Sequence, residues 1–196
     1  MTDALLLTPG PLTTDPAVRQ AMDKDWGSRD PAFVALTAEL RGRLLSVAHG
    51  EATHVAVPIQ GSGTYVMEAG VASLMGPDDK LLVLINGAYG RRMAEIARRL
   101  GHCVETLVWE EDRAVDPAAV ARKLAADPMI SHVAVAHCET TTGILNPLVP
   151  VAEIVAKAGC KLILDAMSSF GALPIDLRTL RVAAVLASSN KCLEGV

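Results

Sequence analysis

The sequence predicts an α/β fold, a largely parallel sheet with helices on both faces, on three observations. Short runs rich in Leu, Ile and Val recur along the chain, stretches with helical spacing of apolar residues separate them, and Gly and Pro fall between these periodic segments. Apolar runs with few polar residues inside them are what strands covered by helices on both sides require.

In chain order, Asp30 followed by Pro31 supplies an N-cap and a first helical residue, opening a helix that runs to about Ala48. Residues 54–59 read as the first strand. Gly61-Ser62-Gly63-Thr64 then turns into a helix over residues 65–75. A strand over 81–85 leads through Asn86-Gly87-Ala88-Tyr89-Gly90 into a helix over 91–100. A strand over 104–108 precedes a helix over 117–126, and a strand over 132–136 leads through His137-Cys138-Glu139-Thr140-Thr141-Thr142-Gly143 to a helix over 149–158. Strands over 161–165 and 182–187 complete the set, and Lys191 follows the last of them after Ser188-Ser189-Asn190. All six strands read as buried on both faces. No repeat, low-complexity tract or domain boundary is visible.

Composition narrows the function. The chain has 196 residues, 51% hydrophobic and 20% charged, which suffices for a core and excludes disorder. No apolar run reaches the roughly 18 to 20 residues of a membrane span, and Met1-Thr2-Asp3-Ala4-Leu5 lacks the basic start of a leader, so the reading is a cytoplasmic protein with no membrane partner. The four cysteines show no C-x-x-C spacing and read as reduced thiols, with no metal site. A net charge of −4 and 3% aromatic residues leave too little basic surface and too few stacking rings for nucleic acid. A small-molecule site remains.

In parallel sheets, ligands collect at the carboxyl ends of the strands. Gly61-Ser62-Gly63-Thr64 stands at such an end and opens a helix, an arrangement that aims backbone N–H groups at an anion. Alone it reads equally as a glycine-rich turn with an N-cap, since Val66 occupies the third glycine position of a dinucleotide fingerprint and no Lys follows as in a phosphate-binding P-loop. Asp165 closes an apolar strand where burial demands a partner, and alone reads more simply as a turn or cap. Lys191 alone reads as a surface residue. Together, a phosphate cradle, a carboxylate and a lysine at one sheet edge meet the polar requirements of a pyridoxal 5'-phosphate site. Ser62, Gly63 and Thr64 anchor the phosphate, Asp165 keeps the pyridine nitrogen protonated, and Lys191 is the catalytic amine that forms the Schiff base and carries a proton. Tyr89 is set to stack on the ring, and Thr140 or Thr141 to donate to its hydroxyl. His137 reads as a hydrogen-bonded core residue, and Arg91, Arg92, Arg98 and Arg99 as a solvated face or oligomer contact.

Leu7-Thr8-Pro9-Gly10-Pro11-Leu12-Thr13, Asp25-Trp26-Gly27-Ser28-Arg29-Asp30 and the blocks around Gly61, Tyr89, Thr140, Asp165 and Lys191 closely resemble, in order, the class-V, fold-type I aminotransferases, and among them those that act on 2-aminoethylphosphonate. The resemblance runs from Leu5 to the last residue. It implies transfer of an amino group from 2-aminoethylphosphonate to pyruvate, giving phosphonoacetaldehyde and L-alanine, by a homodimer that uses pyridoxal 5'-phosphate. On it Lys191 is the Schiff-base lysine, Asp165 the pyridine partner, Ser62, Gly63 and Thr64 the phosphate loop, Tyr89 the stacking residue and Thr140 a ring contact. It further implies that residues 1–196 hold an N-terminal segment and most of the cofactor-binding large domain. A further strand, the small C-terminal domain and a substrate-binding arginine are then expected beyond Val196. An alanine- or serine:glyoxylate-type aminotransferase and a non-catalytic fragment are the alternative readings.

Overall fold

The computed structural model describes residues 5–195; Met1 to Ala4, read above for a leader, and Val196 lie outside the described residues. The chain divides into two compact units. One comprises Met1–Gln60 (described from Leu5), Phe170–Thr179 and Ser188–Val196 (described to Gly195), and the other Gly61–Ser169 with Leu180–Ala187.

The first unit contains helices α1 (Pro16–Ala21) and α2 (Pro31–Val47). Both begin by one device. Asp15 and Asp30 stand at the N-cap, their carboxylates accept the N–H of Ala17 (2.7 Å) and Ala32 (2.8 Å), and a proline with no N–H to satisfy takes the first helical position. Helix α1 is absent from the sequence reading, although Asp15-Pro16 carries the same signal as Asp30-Pro31. Residues 54–59 are not a strand, contrary to the sequence reading. They make no ladder among the described residues, and Val55 and Val57 are 74% and 69% exposed. An alternating β-branched pattern makes a strand only where a neighbour supplies the other half of the backbone hydrogen bonds.

The second unit is the sheet and its helices: α3 (Gly63–Leu74), β1 (Lys80–Ile85), α4 (Ala88–Arg99), β2 (Cys103–Val108), α5 (Pro117–Ala126), β3 (Ile130–Ala136), α6 (Leu148–Lys157), β4 (Lys161–Asp165) and β5 (Ala184–Leu186). The order is β2-β1-β3-β4-β5 and every pair is parallel. Successive side chains alternate between faces. Leu81, Val83, Ile85, Ala134, Ile163 and Leu186 form one core with Met67 and Val71 of α3 and Met93, Ala94 and Ala97 of α4. The intervening Leu82, Leu84, Val133, Val135, Leu162 and Leu164 are also buried and face the side where α5 and α6 pack together and α6 covers β4. Burial on both faces holds for β1, β3 and β4. Edge strand β2 is only half covered, its terminal Cys103 and Val108 being exposed, and edge strand β5 is three residues long where the sequence suggests six.

Helix α4 begins at Ala88, three residues before the sequence reading starts it, so Tyr89 belongs to its first turn rather than to a loop. Helix α5 repeats the aspartate–proline start with Asp116 and Pro117, over the residues expected of it. No helix among the described residues is long and apolar enough to cross a membrane.

Near the amino end of β3, His132 is 1% exposed, pairs through Nδ1 with Ser131 Oγ (2.9 Å) and lies 3.7 Å from Asp79. Burial holds its imidazole below the ordinary value, against the opposing pull of Asp79. The unfolded chain therefore takes up a proton here more readily than the folded one, so stability falls as pH drops through the ordinary imidazole range, about 6.5, towards the lower folded value. Urea unfolding at about pH 7 and about pH 5.5 is expected to show a smaller loss on acidification in His132→Gln than in the parent. An equal loss in both proteins contradicts this.

Candidate active site

Because the strands are parallel, their carboxyl ends lie along one edge of the sheet, and the order β2-β1-β3 makes the chain depart in opposite directions from β1 and β3. Such a switch point opens a crevice between the two post-strand segments. In this chain it is pinned by a buried pair of amides. Asn86 and Asn146 donate to each other reciprocally (2.9 and 3.1 Å). Asn86 also donates to Arg113 O (2.9 Å), and Asn146 donates to Ala136 O (2.8 Å) and accepts from Val115 N (3.0 Å).

Asp165 is the last residue of β4, 4% exposed, in register with Ala136 and Leu186. Its backbone carbonyl accepts from His137 N (2.8 Å) and its Oδ1 accepts from Met167 N (3.0 Å). One carboxylate oxygen thus serves the turn that the sequence allowed, and that bond fixes the plane of the carboxylate at the strand mouth. Thr140 Oγ1 and Ser168 Oγ share a hydrogen bond, and His137 Nδ1 pairs with Ser169 Oγ at 3.0 Å, so two contacts tie the segment after β3 to the one after β4. His137 is 6% exposed and burial holds its pKa below the ordinary imidazole value, which suits the hydrogen-bonded core role read for it.

Ser62 is the N-cap of α3, with Oγ accepting from Tyr65 N at 3.3 Å, which leaves its own hydrogen to donate outward. Gly63 and Thr64 occupy the first two helical positions, whose amides the helix itself leaves without acceptors. Arg92 is exposed, as the solvated-face reading has it, and also has NH1 3.3 Å from Thr64 Oγ1 and its guanidinium 5.0 Å from the centroid of the Tyr89 ring. It thereby joins the start of α3 to the start of α4 and brings positive charge to an anion-suited turn. The signal was the i, i+3 spacing from Tyr89, which has meaning only once the helix is known to start at Ala88. Arg91 and Arg99 fit the surface role, pairing with Glu111 and Glu95.

Lys191 belongs to the first unit, five residues past β5, and is 8% exposed. Its carbonyl accepts from Glu194 N (2.8 Å) and Ser189 O accepts from Gly195 N (2.7 Å), so a tight turn surrounds it. Gly10 of the Thr8-Pro9-Gly10-Pro11 segment lies against this turn: an added Cβ would sit 2.6 Å from Lys191 Cγ and 2.5 Å from Asn190 O.

Residues 35–195 match the family described as aminotransferase class-V, and the chain belongs to that family. It is 58% identical to 2-aminoethylphosphonate–pyruvate transaminase 2 of Burkholderia lata and 55% identical to 2-aminoethylphosphonate–pyruvate transaminase of Pseudomonas aeruginosa; both matches span 98% of this chain, and 51% and 52% of those proteins. Alanine–glyoxylate aminotransferase from Nostoc sp. superposes with a TM-score of 0.92 at 33% identity, over 100% of this chain and 52% of that one. Ureidoglycine–glyoxylate aminotransferase from Bacillus subtilis does so with a TM-score of 0.92 at 30% identity, over 99% and 50%. The chain spans about half the length of the relatives it matches.

Two glycines of the first unit make opposite predictions. Gly10→Ala forces a methyl into the Lys191 turn and is expected to destabilise by about 1 to 3 kcal/mol. Gly42→Ala, inside α2 with nothing within 4 Å of the new Cβ, is expected to stabilise by roughly 0.5 to 1 kcal/mol. Chemical denaturation of the two variants beside the parent checks both signs.

Proposed function

We propose that this class-V aminotransferase chain is the cofactor-binding part of an enzyme that uses pyridoxal 5'-phosphate to move the amino group of 2-aminoethylphosphonate to pyruvate, yielding phosphonoacetaldehyde and L-alanine, and that these 196 residues alone are incomplete for that reaction. The observation that carries the cofactor reading is Asp165, a carboxylate with 4% exposure at the mouth of a parallel strand whose interior is wholly apolar. The donor set fits the group. The amides of Gly63 and Thr64, the Ser62 hydroxyl and the nearby Arg92 suit a phosphate, and a buried, oriented carboxylate suits a protonated pyridine nitrogen. The substrates rest on the names carried by relatives at 54–58% identity.

Bound, pyridoxal 5'-phosphate supplies an electron-withdrawing ring that stabilises negative charge on the carbon bearing the amine. The protein's residues do the rest. Ser62, Gly63 and Thr64 hold the phosphate, and Asp165 holds the proton on the ring nitrogen that makes the ring a strong electron acceptor. Tyr89 would pack against the ring and Thr140 would donate to it. Lys191 Nζ would hold the group and would carry a proton between carbon atoms.

The proposal includes a homodimer in the cytoplasm, the 196 residues being an N-terminal segment and most of the cofactor-binding domain. Helix α2 supports the second copy. It buries no residue, and Leu36, Leu40 and Val47, which share one face at helical spacing, are all exposed, an apolar surface that a second chain would cover.

On adding pyridoxal 5'-phosphate, the protein is expected to acquire an absorbance band at roughly 420 nm that borohydride removes and that Lys191→Ala never develops. In a chain extended beyond Val196, the amino donor 2-aminoethylphosphonate with pyruvate should form L-alanine faster than serine or alanine forms product with glyoxylate; the reverse order overturns the substrate assignment. Sedimentation of the protein is expected to give the mass of two chains, and replacing Leu36 and Leu40 with Glu to shift it towards one.

A further inference from the structure

We infer that Glu139 is the positioning residue that holds the ring-stacking Tyr89 in register with the Thr140 segment, an inference that rests on the cofactor reading above. Glu139 is 0% exposed. A carboxylate in that setting requires donors, and those it has come from the start of α4 and from its own turn. Oε2 accepts from the backbone N–H of Tyr89 at 3.2 Å and Oε1 accepts from the Thr141 hydroxyl at 2.9 Å, with longer contacts to the amides of Tyr89 and Thr141 at 3.4 Å.

The Tyr89 amide is the second of α4, one that the helix leaves without an acceptor. At α1, α2, α3 and α5 the N-cap side chain supplies an acceptor locally. Helix α4 has Gly87 at the N-cap and no side-chain cap of its own. Its acceptor comes instead from fifty residues away, after β3. Gly87 is what admits it: a Cβ there would lie 2.3 Å from Glu139 Cγ and 2.4 Å from Cδ. A local Asp or Ser at an N-cap serves a helix start equally well in general, but at position 87 its Cβ would meet the Glu139 side chain. The distant carboxylate does something a local cap cannot, which is to make the position of the Tyr89 backbone depend on the segment carrying Thr140.

That segment is itself stiff. Glu139 N donates to Ile144 O (2.9 Å) and Glu139 O accepts from Gly143 N (2.8 Å), closing residues 139–144 into a turn with Glu139 at its base. Thr140 and Tyr89, the proposed contacts to the edge and face of one ring, are therefore both fixed relative to a single carboxylate.

Glu139→Gln keeps the shape but leaves one acceptor oxygen where the carboxylate has two, so the Tyr89 N–H and the Thr141 N–H can no longer both be met. Pyridoxal 5'-phosphate titrated into the whole protein is expected to bind it about tenfold more weakly than the parent. The circular dichroism of the bound cofactor band at saturation, which reports ring orientation rather than stability, is expected to change in amplitude. Thr141→Val, which removes only the hydroxyl donor, should shift both readouts in the same direction by less, and it serves alone if Glu139→Gln does not fold. Parent-like affinity and dichroism in the variants that fold overturn the inference while leaving the cofactor reading intact. A parent protein that develops no cofactor band at all overturns both.

Discussion

Parallel pairing of β1, β3 and β4, each covered by helices on both faces, is the constraint on which the rest of the second unit depends. A strand buried on two sides cannot carry a polar side chain in its middle without a partner, so Leu81 to Ile85, Val133 to Ala136 and Leu162 to Leu164 are apolar and nearly inaccessible. Parallel strands also all end at the same edge. Polar chemistry excluded from the interior is thereby delivered to one place, and Asn86, His137 and Asp165 each stand at or immediately after a strand end.

Crowding polar groups at a buried edge has a consequence: each must be satisfied, and the available partners sit on neighbouring post-strand segments. The Asn86–Asn146 pair, the His137–Ser169 contact, the Thr140–Ser168 contact and the Glu139 carboxylate all join segments that follow different strands. Hydrogen bonding needed to make burial tolerable thus also sets the spacing of the residues proposed to hold the cofactor. The amides at the start of α3 are the exception, because a helix start leaves donors directed outward, and these can serve a ligand.

Much of this was legible beforehand because local rules and tertiary demands agree. The strands over β1, β2, β3 and β4 were readable from apolar runs to within two residues, α5 from Asp116-Pro117, and the family from its ordered blocks. Errors arose where a local pattern needed something from elsewhere. Residues 54–59 have the alternation of a strand but no ladder among the described residues, and α4 starts at Ala88 because a carboxylate fifty residues away caps it where Gly87 offers no side chain. Helix α1 is a different kind of miss, since Asp15-Pro16 was a sufficient local signal.

By itself the sequence determined the α/β class, the order of the elements from α3 to β5, the family, and the identities of Ser62, Gly63, Thr64, Tyr89, Thr140, Asp165 and Lys191 as candidates. These follow from apolar period, capping chemistry and motif order, all properties of neighbours along the chain. Only the tertiary structure decided that β1 and β3 flank the switch point, that Arg92 joins Thr64 to Tyr89, and that Glu139 is wholly buried between two helix and strand ends. The reason is physical: a side chain's partner across a parallel sheet comes from a segment tens of residues away, and neither spacing nor composition encodes which donor a buried carboxylate will meet.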